Sequence, residues 1–162
     1  MPLFTNELLK SFRATLGAFS EVTAREATGD KSVTLDLDEK NIIYSVYRSS
    51  SFERKGGAIT NNNSSYKMFY VHGGKGNNIS KIPLAVVYPK SEGNELRLYF
   101  KSGQFDPDEG DYWFIFTRDG EDCPHIGWMM QNDWNRLLVD SKKEELGIQF
   151  NSFQKIDDED EE

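Results

Sequence analysis

Hydrophobic residues recur along this chain in two registers. Near the start, Leu8, Leu9, Phe12, Leu16 and Phe19 fall at helical spacing. That pattern predicts a helix over residues 3–19, with Thr5 or Asn6 as N-cap and Gly17 at its end. After the polar link Thr28-Gly29-Asp30, Val33, Leu35 and Leu37 alternate with polar residues, as in a half-buried strand. Residues 41–47 are β-branched and aromatic and predict a second strand. Residues 66–72, 82–88, 95–100 and 112–117 predict four more, and Ser91-Glu92-Gly93-Asn94 reads as a hairpin turn between two of them. Residues 125–130 predict a seventh. Asn132 then caps a short helix carrying Trp134, Leu137 and Leu138. Residues 141–146 add a turn or two stopped by Gly147, and residues 148–153 form a closing strand. Seven or eight short strands with a helix near each end predict a mainly β (α+β) fold, an antiparallel barrel or sandwich.

Length adds one constraint: 162 residues make one domain, large enough to bury roughly two-thirds of its unfolded surface. Aromatic residues at 13% exclude a wholly disordered chain. No apolar run is long enough for a transmembrane helix. Met1-Pro2-Leu3-Phe4 lacks the basic and apolar regions of a secretory signal. A single cysteine, Cys123, cannot form an internal disulfide and fits a reducing cytoplasm.

Charge changes the picture more. The net charge is −8, but Asp157 to Glu162 contributes six consecutive acids, and without them 21 acids face 19 bases, a charge of −2. The expected division is therefore a domain over 1–156 and, over 157–162, a disordered acidic tail or the start of an interdomain linker. From Arg54 to Ser91 the chain carries Arg54, Lys55, Lys67, Lys75, Lys81 and Lys90 and no Asp or Glu. The segment includes two polar loops, Gly56-Gly57-Ala58-Ile59-Thr60-Asn61-Asn62-Asn63 and Gly73-Gly74-Lys75-Gly76-Asn77-Asn78. Cations on donor-rich loops suit a polyanion, nucleic acid above all. The competing reading is a solvated loop region whose lysines serve solubility. The next block reverses the sign: Asp106, Asp108, Glu109, Asp111, Asp119, Glu121, Asp122 and Asp133 face only Arg118.

Other chemistry is sparser. Glu53-Arg54-Lys55 has the Glu-x-Lys form and, with Asp36 or Asp38, would make a Mg²⁺-dependent nuclease site. Against it, the triplet lies in a Gly/Ser-rich loop. Asp106-Pro107-Asp108-Glu109-Gly110-Asp111 lacks the final Glu of an EF-hand loop and reads as a turn before a strand. Cys123-Pro124-His125 has no second pair for zinc, and His72 and His125 are too far apart to pair by spacing. Tyr112, Trp113, Phe114, Phe116 and Trp128 read as core.

The runs Tyr44-Ser45-Val46-Tyr47-Arg48-Ser49-Ser50-Ser51, Gly56-Gly57-Ala58-Ile59-Thr60 and Tyr66-Lys67-Met68-Phe69-Tyr70-Val71 resemble the first recognition arm of the B3-like DNA-binding domains of restriction endonucleases. Phe105-Asp106-Pro107-Asp108-Glu109-Gly110-Asp111-Tyr112-Trp113-Phe114-Ile115-Phe116 is similar to a Gly-Asp-x-hydrophobic-Phe strand of that fold. The resemblance implies an open pseudo-barrel with short flanking helices that grips duplex DNA in the major groove with two arms. It places Arg48, Ser49, Ser51, Arg54, Lys55 and Thr60 in the first arm, with Asn61 beside them. Lys75, Asn77, Asn78 and Lys81 are second-arm candidates by charge. The acidic residue and second Gly-Ala-Thr-Gly pattern usual in that arm are not reproduced. The expected function is sequence-specific, in one variant modification-sensitive, binding of double-stranded DNA. The chain would be the recognition module of a restriction system whose nuclease or motor lies in another domain or subunit. Such binding needs no metal or cofactor. Two alternatives stand beside it: the nuclease of Asp38, Glu53 and Lys55, and a phage-type inhibitor whose acidic face mimics DNA.

Overall fold

The computed structural model describes residues 3–28, 31–55, 63–73, 79–101 and 103–150, the last nine through their helical backbone. The elements run α1 (Asn6–Phe12), β1 (Leu16–Glu21), α2 (Ala24–Thr28), β2 (Ser32–Leu35), α3 (Leu37–Tyr44), a 3₁₀ turn (Ser49–Ser51), β3 (Tyr66–His72), β4 (Ile79–Val87), β5 (Leu96–Tyr99), β6 (Tyr112–Thr117), β7 (His125–Met129) and α4 (Gln131–Phe150). The seven strands form one sheet in the order β1-β6-β7-β3-β4-β5-β2. All pairs are antiparallel except β3 and β7, which run parallel with Tyr70 opposite His125. The sheet curls, and α3 contacts both of its end strands, β1 and β2, filling the gap between them. The result is the expected mainly β, open pseudo-barrel with flanking helices. No described helix is long and apolar enough to cross a membrane.

Alternation sorts the side chains. Ala18, Val33, Phe69, Val71, Leu84, Val86, Leu98, Trp113, Ile115 and Ile126 point inward, where they meet Ile42 and Ile43 of α3. On the outer side, Phe114 and Phe116 of β6 are covered by Phe4 and Leu8 at the N-terminus and Trp134 of α4, with Phe19, Met129 and Leu137 around them. Tyr112, Trp113, Phe114, Phe116 and Trp128 all join these two clusters, as their sequence pattern predicts. Pro83 is tolerated in β4 because β5 pairs only from Ala85 onward, so no ladder donor is lost on that side.

Three expectations are corrected. The helix predicted over 3–19 stops at Phe12: Arg13 takes a left-handed conformation (φ 56°), and its N–H caps the carbonyls of Leu9 and Lys10. Gly17 is a strand residue. Its missing side chain makes room for the Phe4 ring, which a Cβ would meet at 2.2 Å. The strand predicted at 41–47 is the end of α3 and the turn after it. Asp36 and Glu39 form a capping box, with Glu39 N–H donating to Asp36 at 3.0 Å and Asp36 N–H donating to Glu39 at 2.9 Å. That nucleus overrides the β propensity of Ile42 and Ile43, which meet the core from a helix instead. At the far end Gly147 does not stop the helix; α4 continues to Phe150, so no strand begins at 148.

Candidate nucleic-acid interface

The β3–β4 hairpin organises the candidate site. Residues 56–62 lie between Lys55 and Asn63, at the Tyr66 end of β3, while residues 74–78 connect β3 to β4 at the His72 end. The Tyr66 end is fixed by Lys55, whose N–H donates to the Tyr88 carbonyl at 2.9 Å just beyond β4. The seven residues of β3 span about 20 Å, so the described residues next to the two segments, Asn63 and Gly73, flank opposite ends of one strand. Thr60, Asn61, Lys75, Asn77 and Asn78 fall within those segments and lie outside the described residues.

Among the described residues, the elements that cover β6 leave the outer face between these ends uncovered. The cluster under α1 and α4 takes no residue from β3, β4 or β5. Tyr66 is 58% exposed and Met68 37%. Lys81 projects from the same face opposite Tyr70, and Lys55 lines its other end beside Ala85. Four residues of β4 separate Ala85 from Lys81, about 13 Å.

The acid-free segment does not keep its positive charge to itself. Lys81 pairs with Asp122 at 3.2 Å and its ring neighbour is Tyr70; that carboxylate holds the Lys81 pKa above its ordinary value. Lys90 pairs with Glu95 at 3.0 Å. Lys67 turns the other way, donating to the Ser51 carbonyl at 3.0 Å over the Phe52 ring, and burial lowers its pKa. Arg54 is a staple: its Nη1 donates to the carbonyls of Lys90 (3.2 Å) and Gly93 (2.9 Å), and its guanidinium lies 4.5 Å from the centre of the Tyr88 ring. Among the described residues none of the first-arm cations Arg48, Arg54 and Lys55 has an ion pair, but the Arg54 guanidinium is committed to carbonyls, which leaves Lys55 and Arg48. Arg48 is exposed ahead of the 3₁₀ turn. Ser51 turns its hydroxyl onto the Arg48 carbonyl at 2.6 Å, and the Ser49 carbonyl accepts from Tyr88 at 2.7 Å. The structure thus gathers Lys55 and Lys81 on one face and sets Arg54 to hold the β4–β5 turn.

The carboxylates of the nuclease alternative are engaged separately. Glu53 accepts from the Ser65 hydroxyl, and Asp38 sits in the first turn of α3. Among the described residues, no group of three or more His, Cys, Asp and Glu could hold a metal ion. The Cys123 thiol is buried, and burial pushes its pKa up to about 11, away from nucleophilic use at neutral pH.

A second polar cluster had no signal in the sequence. The parallel β3–β7 pairing brings His72 Nε2 within 2.9 Å of His125 Nδ1, and His125 Nε2 within 2.5 Å of Glu121. A carboxylate only accepts, so His125 carries its proton on Nε2, and His72 therefore donates through its own Nε2. His125 is clamped between the rings of Phe116 (4.5 Å) and Tyr70 (4.6 Å). Burial lowers both histidine pKa values, that of His72 to about 4 with His125 as the next cause. Both rings are neutral at physiological pH and serve to tie β3 to β7.

No protein-family model matches the chain, and neither a curated protein nor a solved structure does.

Proposed function

We propose that this chain is a DNA-binding module that engages double-stranded DNA through the β3–β4 hairpin. The observation that carries the reading is that the described residues flanking the two polar segments lie at opposite ends of β3, about 20 Å apart, on a hairpin whose outer face the described helices leave uncovered. A major groove is about 12 Å wide, so segments attached at these points would reach across it while the face between them offers Lys55, and Lys81 where a phosphate displaces Asp122 from it. Phosphate contacts from these cations and the segment donors would set register, and side chains in the segments would read base edges. In the finer form of the proposal the chain is the recognition module of a restriction system, with cleavage supplied elsewhere.

The test is titration of the protein with random-sequence duplexes across a range of salt, followed by selection of bound sequences. Affinity should fall steeply with salt, with a log–log slope near −0.9 per phosphate contacted, or roughly −3.5 for about four contacts. Absence of binding at low salt, or binding indifferent to salt, would falsify the proposal.

A further inference from the structure

Three side chains cross the outer face of the hairpin in one row. Tyr66 of β3 is opposite Ala85 of β4, and Ala85 is opposite Tyr99 of β5. Neighbouring strands lie about 4.8 Å apart, so the two tyrosine backbones are about 9.6 Å apart. Among the described residues, the Ala85 methyl group is what stands between them. The outcome is an open groove of about 220 Å³ lined by Lys55, Ser65, Tyr66, Ala85, Val87 and Tyr99. Drug-sized ligands occupy roughly 300–1,000 Å³, so this groove suits one planar ring system rather than a larger molecule. Its walls are aromatic. Its mouth carries the Lys55 ammonium, which has no ion pair among the described residues.

We infer that the groove takes one unpaired nucleobase of a DNA strand, stacked between Tyr66 and Tyr99 with its phosphate on Lys55. Every base offers a π face, so this contact is independent of sequence. A strand added from a protein partner does not fit: β4 is paired on both sides at Ala85, leaving no free ladder there. The inference rests on the DNA reading above and adds a preference for DNA with a single-stranded portion.

The experiment compares a blunt duplex with the same duplex carrying a short single-stranded tail, by fluorescence anisotropy at low salt. The wild type should favour the tailed DNA. Tyr66→Ala and Tyr99→Ala should each weaken tailed binding about 5- to 100-fold and abolish the preference for the tailed over the blunt duplex. Tyr66→Phe should retain the preference because the ring remains, which separates stacking from any loss of fold. Equal wild-type affinity for the two DNAs, or a preference surviving both alanine variants, overturns the groove while the duplex reading stands. Failure to bind either DNA overturns both. Thymidine 5′-monophosphate is the competitor arm. It should not displace the tailed DNA at concentrations near that of the protein, and displacement there would assign the groove to free nucleotides instead.

Discussion

Ser20, on the end strand β1, donates its hydroxyl to the Glu39 carboxylate on α3, and both residues are buried. This bond clasps the helix that fills the barrel gap to one side of that gap. It also places an acid in the core: burial, the largest influence, pushes the Glu39 pKa up to about 7.

Glu39→Gln should therefore change how stability responds to pH. A carboxyl whose folded pKa is raised contributes stability that is full below its unfolded value of 4.5 and is lost as pH rises through about 7. Glutamine keeps the capping-box acceptor and can donate to Ser20, but has no proton to lose. The variant should gain on the wild type between pH 5 and 8, by about 1 to 3 kcal/mol. Urea unfolding at the two pH values measures this, and parallel pH curves for the two proteins would rule it out.

The histidine pair has the opposite sign. His72 and His125 titrate lower in the folded chain than unfolded, because burial opposes their charge. Above the unfolded value of 6.5 there is no penalty. As pH falls below it the unfolded chain takes up protons that the folded chain refuses, and stability is lost until the folded pKa is reached, about 4 for His72. In the Glu39→Gln background, unfolding free energy should fall between pH 6.5 and 5 by up to about 1.4 kcal/mol per pH unit for each neutral histidine. A flat profile there, or NMR titration of both rings near 6.5, would contradict the assignment.

Gly127→Ala should strike the same junction. A Cβ at Gly127 would meet the His72 Cβ at 2.7 Å and the Phe114 ring at 2.8 Å. Overpacking of this kind costs roughly 1–3 kcal/mol. The thermal midpoint should drop, and His72 should become more solvent-accessible to alkylation; an unchanged midpoint would mean that β3 and β7 are not packed this closely.

Trp134→Ala tests whether α4 is integral to the fold. The indole is fully buried, stacks 5.6 Å from Tyr112 and 6.1 Å from Phe114, and meets the tilted Phe19 ring at 4.8 Å. Its loss should cost about 3–5 kcal/mol in chemical denaturation, and a change under about 1 kcal/mol would show α4 detached from β6.

Arg54→Ala and Lys55→Ala, adjacent in sequence, should separate completely. The first removes two bonds to carbonyls and a cation over Tyr88, so stability should fall by about 1–2 kcal/mol. The second should leave the melting temperature alone and make the DNA salt dependence shallower by about one unit. If Lys55→Ala destabilises and Arg54→Ala does not, the division of roles is reversed.

Strands β3 and β6 were legible to the residue because their runs are rich in aromatic and β-branched residues. The mistakes arose where two local signals competed. Ile42 and Ile43 favour a strand, but the Asp36–Glu39 box upstream starts a helix and carries them with it. Leu16 and Phe19 continue the helical spacing of Leu8 and Phe12 by coincidence, while Arg13 has already ended the helix. The basic segment was legible as composition. Its neutralisation was not, because Asp122, in the turn between β6 and β7, reaches Lys81 on β4, and Glu95 folds back onto Lys90 across the β4–β5 turn. The Tyr66–Tyr99 row was hidden for the same reason: it depends on the register of β4 between two strands distant in sequence.

The order of the sheet also sets a timetable for biosynthesis. Leu16 in the first strand pairs with Thr117 in the sixth, and Tyr70 with His125 in the seventh. At roughly 5–20 residues per second, a ribosome needs on the order of 5–20 s to make the partner that β1 awaits. The first-made strand is thus among the last to be placed, and closure depends on long-range encounters of the kind that make folding slow. A nascent chain halted before Tyr112 has neither β6 for β1 nor β7 for β3, which makes the arrival of that late hairpin the event that commits the chain to its fold.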